Sequence, residues 1–149
     1  ALPIWRIMKM AIRYQSRGGN TKTVAEAIGK IAGVRAQAIG VPLEEPVDLL
    51  YVGGGVYKWD IDPDLKEYLR TLDSNLVKSI AAFSTAGGMD GARKIGALAK
   101  EKGICVCEKT LPVKVFLTNH AAFGSKGYFD LSEKQLHEVR EFVKNTAGQ

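Results

Sequence analysis

The stretch AIRYQSRGGNTKTVAEAIGKI, residues 11–31, decides the fold. A short β-rich run, Met10 to Tyr14, passes through Ser16-Arg17-Gly18-Gly19-Asn20-Thr21. It then enters a segment with apolar residues at Val24, Ala27, Ile28 and Ile31. That spacing is helical, so the stretch is a strand joined to a helix by a loop of small and hydroxyl residues. The loop exposes backbone N–H groups and the helix start adds partial positive charge, so the junction attracts anions. A phosphorylated ligand is the first expectation.

The same alternation continues outward. After Gly33, Val34–Ile39 alternates as a strand, and Pro42–Pro46 is a turn-rich connection. Val47–Val52 (VDLLYV) is a continuous apolar run ending in Gly53-Gly54-Gly55, the pattern of a buried central strand. Residues 63–72 open with proline at a first helical position and place Leu65, Tyr68, Leu69 and Leu72 on one face. Ser79–Ser84 reads as another buried strand, followed by Thr85-Ala86-Gly87-Gly88-Met89-Asp90. Gly91–Lys102 reads as a helix closed by Gly103, and Ile104–Thr110 as the next strand. A last helix starts at Ser132 with Gln135 completing a capping box, and Leu136, Val139, Phe142 and Val143 form its apolar face. Residues 112–131 carry no pattern that assigns them.

Strands alternating with helices imply an α/β domain: a parallel sheet of five strands covered on both faces, with right-handed crossovers. Ligands in such sheets sit beyond the carboxyl ends of the strands, where strand order reverses. The segments 15–21, 53–62 and 84–90 all follow strands on that edge. Three loops at one edge make one site.

Composition bounds the rest. The 149 residues suit one domain, and 46% apolar with 25% charged residues is an ordinary globular balance. Residues 9–149 are read as that domain and residues 1–8 (ALPIWRIM) as an upstream extension or cloning remnant, with Met8 or Met10 as the native start. The leading stretch lacks the apolar core and cleavage site of a signal peptide. No run reaches the roughly 20 apolar residues of a membrane span, so no membrane association is expected. Cys105 and Cys107 stand as C-x-C in a β-branched run and would share one side of a strand. They read as a cytoplasmic thiol pair rather than a disulfide or metal site. The net charge is +5 and the pI about 9.2. Lys and Arg are scattered without a dense block interleaved with aromatics, so nucleic-acid binding is not expected. A mildly basic docking face for an acidic protein partner is the more economical expectation. His137 is expected at the surface of the last helix, and His120 near the site's rim is the weaker candidate.

Elimination narrows the phosphate ligand. The G-x-x-x-x-G-K-[ST] loop of nucleoside triphosphatases is absent, and Gly53-Gly54-Gly55 lacks the G-x-G-x-x-G spacing of dinucleotide sites. The first loop holds no cysteine for a thiolate phosphatase. Gln15, Ser16, Val52 and Gly53 stand where a phospho-acceptor receiver needs acids.

At these positions the sequence resembles the flavodoxin family of FMN proteins. The family's phosphate loop, T/S-x-T/S-G-x-T, corresponds to Ser16, Arg17, Gly18, Gly19, Asn20 and Thr21, with glycine in place of the central hydroxyl. The resemblance spans about residues 9–111 and the last helix. It implies a flavodoxin-like three-layer sandwich with strand order 2-1-3-4-5, and FMN as the cofactor. Ser16 and Thr21 would offer hydroxyls to the phosphate and residues 17–21 backbone N–H groups. Gly18 and Gly19 would permit the close approach and unusual φ.

The second loop, Gly54-Gly55-Val56-Tyr57-Lys58-Trp59, resembles the one that stacks an aromatic on the flavin ring. Tyr57 aligns best with that aromatic and Trp59 is a second candidate. Lys58 stands where many members have glycine, which makes positive φ costlier there. The third loop, Ser84-Thr85-Ala86-Gly87-Gly88, matches the one whose N–H groups hold the pyrimidine edge. With no acidic residues nearby, it implies midpoint potentials less negative than those of acidic flavodoxins. The function implied is an electron carrier between proteins, with an acidic-surfaced redox partner. The enzyme alternative is an NAD(P)H-dependent FMN quinone or small-molecule reductase. A third reading is an interaction module that keeps the fold without flavin.

Overall fold

The computed structural model describes residues 8–86, 90–115 and 130–147. Gly87, Gly88, Met89 and His120 lie outside the described residues.

Three parallel strands build the centre: β1 (Met10–Gln15), β3 (Val47–Tyr57) and β5 (Val77–Ala86). The short β2 (Ala36–Ala38) flanks β1, and β6 (Cys105–Val106) and β7 (Leu111–Lys114) flank β5. The main path runs β2-β1-β3-β5-β6, the expected 2-1-3-4-5 order. Two details depart from five strands. β4 (Asp60–Ile61) folds back antiparallel on β3, and the last parallel strand is broken into β6 and β7. The break is a bulge: Cys107–Thr110, four residues, face only Ala81 and Ala82 between the Val106–Ile80 and Leu111–Phe83 pairs.

Period-two alternation on the central strands sorts two cores. Leu49 and Tyr51 point to the face covered by α1 (Asn20–Ala32) and α4 (Glu133–Ala147), where they meet Val24, Ile28, Phe83, Val139 and Phe142. Leu50 and Val52 point to the face covered by α2 (Pro63–Arg70) and α3 (Gly91–Glu101), among Leu65, Leu69, Ile80, Ile95 and Ala99. β3 is therefore buried on both sides, as its unbroken apolar run requires.

The helix ends follow their local chemistry. The Asp62 side chain accepts from Asp64 N–H and starts α2 with Pro63 behind it. Asp90 accepts from Ala92 and Arg93 N–H at the start of α3. The capping box of α4 is complete, with Gln135 N–H donating to Ser132 Oγ at 3.1 Å and Ser132 N–H donating to Gln135 Oε1 at 3.0 Å. His137 is exposed on that helix. Cys105 is exposed and Cys107 half-buried, and both are free thiols. Burial pushes the Cys107 thiol up.

One buried polar pair ties the last helix to the sheet. Thr146 Oγ1 donates to the Phe142 carbonyl at 2.7 Å and so accepts from the Tyr51 hydroxyl at 2.8 Å. Burial pushes the Tyr51 phenol up to about 12 from 10.0. The neutral form is the one the fold favours. Its contribution is whole below pH 10 and disappears as pH rises to about 12, a loss of roughly 2–3 kcal/mol for this one group. Tyr51→Phe is expected to remove this share of the alkaline destabilisation. Urea titrations at pH 8, 10 and 12 check it.

Candidate functional site

Register brings the three candidate segments to one level of the sheet. Gln15 pairs with Gly54, and Gly54 with Ser84; one step further, Gly55 pairs with Thr85. The chain beyond each of these positions therefore emerges at the same carboxyl edge.

The first segment is built around an uncapped helix start. Gly19, at φ 98°, is the N-cap of α1, and no side chain bonds to the first-turn N–H groups. A positive φ at this point is cheap only for glycine. Gly18 needs no such freedom, since its φ is not positive and an added Cβ would meet nothing within 4 Å. No acidic residue lies in the first turn, so the start of α1 keeps its N–H groups and its partial positive charge available to an anion. The other three helices spend a Ser or Asp side chain on the same task.

The hydroxyls are placed differently from expectation. Ser16 Oγ accepts from Gly19 N–H at 3.0 Å and so braces its own loop. Thr21 is buried, and its hydroxyl shares a 2.7 Å bond with that of Thr85, joining the first segment to the third. Two buried oxygens, Asn20 Oδ1 and Ser84 Oγ, have no partner among the described residues. Buried acceptors and hydroxyls left unpaired cost about 1–3 kcal/mol each, so they fit a site completed by a polar ligand.

The second segment is a strand and hairpin rather than a loop beginning at Gly53. The three glycines lie inside β3, and their smallness is what matters. A Cβ on Gly53 would lie 2.1–2.4 Å from the Phe83 ring, and one on Gly54 would lie 2.4 Å from Leu65 Cδ2. A Cβ on Gly55 would meet the Tyr57 hydroxyl at 2.9 Å, so the Tyr57 ring lies back over the strand. Half-buried Val56 follows on the same strand and abuts Gly91 at the start of α3.

Lys58 and Trp59 form the two-residue turn between Tyr57 and Asp60, both at positive φ (52° and 67°). This is the type I′ geometry that matches strand twist and that Asn-Gly serves best. The positive φ thought costly for Lys58 is adopted. Asp60 holds the turn down by bonding Lys66 of α2 and, at 2.8 Å, Lys94 of α3. Those two bonds, Lys66 first, keep its carboxyl well below the usual carboxylate range. The double change Lys58→Asn with Trp59→Gly is expected to raise stability by about 1 kcal/mol through relief of the left-handed strain. A thermal melt showing a rise of about 2–4 °C would bear this out.

The two aromatics differ in setting. Trp59 is 80% exposed at the turn, while Tyr57 is half-buried. The Arg17 guanidinium lies 4.0 Å above the Tyr57 ring centroid, and its Nε donates to Asp62 Oδ2 at 2.7 Å. Burial pushes the Tyr57 phenol up, with Arg17 pulling the other way. Asp62 was not foreseen as a site residue, although an acid directly before Pro63 is a helix-start signature that could have drawn attention to it.

In the third segment, Ser84, Thr85 and Ala86 are the end of β5, paired with β7, instead of a free loop. Their strand geometry turns Ser84 and Thr85 inward, to 0% and 6% exposure. The arrangement offers an anion-accepting helix start, a half-buried aromatic and buried hydroxyls at one edge. Among the described residues no group of three or more His, Cys, Asp or Glu side chains could hold a metal. No described helix is long and apolar enough to cross a membrane.

Comparison with known proteins agrees with this geometry. A family model of the flavodoxin domain matches residues 11–122. Comparison with curated protein sequences returns no match. Among solved structures, a flavodoxin from the domain Archaea is 21% identical, with a TM-score of 0.76 over 94% of this chain and 96% of that one. Flavodoxin 2 from Bacillus cereus, in its oxidised form, is 17% identical with a TM-score of 0.70, covering 91% and 94% of the two chains. A Lactobacillus acidophilus flavoprotein in complex with FMN is 17% identical with a TM-score of 0.53, covering 75% and 95%.

Proposed function

The chain belongs to the flavodoxin family, and from that premise we propose that it binds FMN non-covalently at this edge and carries electrons between protein partners. The observation that carries the reading is the acid-free start of α1, without a side-chain cap, beside two buried oxygens, Asn20 Oδ1 and Ser84 Oγ, that have no partner among the described residues. A phosphate is the group that such a helix start accepts. A similar fold occurs with FMN in the Lactobacillus acidophilus complex, which supports FMN as the flavin.

In this reading the N–H groups of residues 20–22 would hold the phosphate, and Tyr57 with Trp59 would flank the ring. The strand end Ser84–Ala86, with Gly87 and Gly88, would meet the pyrimidine side. Bound flavin supplies the redox chemistry, one or two electrons at a time. The protein's own part is to bind, orient and shield. Thr21–Thr85 and Arg17–Asp62 tie the three segments to one another, and segments held in fixed relation lower the ordering cost of binding.

The partner proposed is an acidic-surfaced redox protein, in keeping with the net charge of +5. Its association rate would fall steeply with added salt. Carrier and reductase separate in one experiment. FMN-loaded protein is mixed anaerobically with NADH or NADPH alone, and flavin bleaching is followed. A carrier stays oxidised until a reductase protein is added. Rapid bleaching by either nucleotide alone would favour the reductase instead.

A further inference from the structure

By sequence position Arg17 belongs to the phosphate loop, but its side chain is engaged by the second segment. Its Nε bonds Asp62 Oδ2 at 2.7 Å, and its guanidinium lies flat enough on Tyr57 to bring Cζ 4.0 Å from the ring centroid. The Asp62 side chain is only 1% exposed, and its other oxygen accepts from Asp64 N–H at 2.8 Å. Both carboxylate oxygens are thereby fixed. A guanidinium that left for a phosphate would abandon a buried negative charge, which is strongly unfavourable. The Arg17 charge is thus matched already, and phosphate binding falls to the backbone of α1.

We infer that Arg17 is a positioning residue for the ring end of the flavin: it clamps Tyr57 through stacking and locks the second segment to the first through Asp62. This rests on the flavin-binding reading above. Three consequences follow from the geometry. Loss of Arg17 weakens ligands with and without a phosphate alike. Lysine does not replace it, because an ammonium has no planar face to lay on the ring while its charge is held at the carboxylate. The Asp62 bond acts by holding the guanidinium over Tyr57, so the effect on the flavin passes through Tyr57 and vanishes where Tyr57 has already been removed.

The test uses the full chain with FMN and riboflavin, the second lacking the phosphate, and reads dissociation constants from flavin fluorescence quenching. Arg17→Met and Arg17→Lys are each expected to weaken both ligands by about 3–10-fold, the usual range for a partly exposed cation stacked on an aromatic. In the Tyr57→Leu background the same Arg17→Met change should have less than about a twofold effect. Arg17→Met leaves the buried Asp62 carboxylate without its cation, so near-ultraviolet circular dichroism and a thermal melt set a temperature at which each variant is folded, and Arg17→Lys, which keeps the charge, carries the comparison if Arg17→Met unfolds.

Loss confined to FMN, restored by lysine, would make Arg17 a phosphate ligand and overturn the inference. Unchanged affinity for both flavins would overturn it too, as would an undiminished effect in the Tyr57→Leu background. Wild-type protein that binds neither flavin would overturn the flavin reading itself and this inference with it. Tight wild-type FMN binding alongside any of the earlier results would leave the reading standing.

Discussion

Gly19→Asp is expected to lower FMN affinity by about 100-fold or more while leaving the protein folded. Gly19 is the N-cap of α1, with φ 98° and no side chain on the first-turn N–H groups. An aspartate there would place its carboxylate on the donors a phosphate would use. Two or three charge-assisted hydrogen bonds at about 1.5 kcal/mol each account for the loss, and like-charge repulsion adds to it. Asp is among the residues that tolerate the left-handed region, and its capping bond offsets the cost of about 1–2 kcal/mol there. Riboflavin affinity should change far less, since that ligand has no phosphate to displace. Fluorescence titration of both ligands makes the comparison, and FMN affinity within about threefold of wild type would count against the site.

Gly53→Ala is expected to be the most damaging single methyl on the central strand. The added Cβ would lie 2.1–2.4 Å from three atoms of the fully buried Phe83 ring, so either the ring or β3 must shift. Overpacking of this kind costs about 1–3 kcal/mol, which for a domain of this size lowers the melting temperature by roughly 3–10 °C. Phe83→Leu should be destabilising alone, yet the double variant should lose less than the sum of the two, because the smaller side chain makes room for the methyl. Additive losses in urea titrations would show that the clash is relieved elsewhere.

The parts of the fold that sequence made legible are those with strong periodicity or end signals. α1, α2, α3 and α4 begin within a residue or two of where glycine, proline and capping residues place them. The expected strand order holds because alternating strands and helices leave few topologies. What stayed illegible has physical causes. Gly53-Gly54-Gly55 reads as the end of a strand and the start of a loop, but glycine also serves within a strand wherever Phe83 and Leu65 crowd its two faces. The hairpin behind it was hidden because Lys58-Trp59 carries none of the Asn-Gly chemistry that announces a type I′ turn. The break between β6 and β7 lies in the register against β5, four residues opposite two, a non-local pairing that no window of sequence contains.

At the site, the segments were legible and their wiring was not. Thr21 looked like an outward hydroxyl, but its helical position turns it under the loop to Thr85. Arg17 entered the phosphate loop through its backbone N–H alone, and the length of its side chain carries it to Asp62, forty-five residues away in sequence. Side chains that long are placed by partners, and partners are set by topology.

The central claim is that this edge binds FMN through its phosphate. The most direct measurement is the absorption spectrum of the purified protein followed by titration of the flavin-free form with FMN and FAD. One FMN per chain, with its fluorescence quenched and its visible bands shifted, is the result expected. A colourless protein that takes up neither flavin, oxidised or reduced, would contradict the claim and leave the fold serving another purpose.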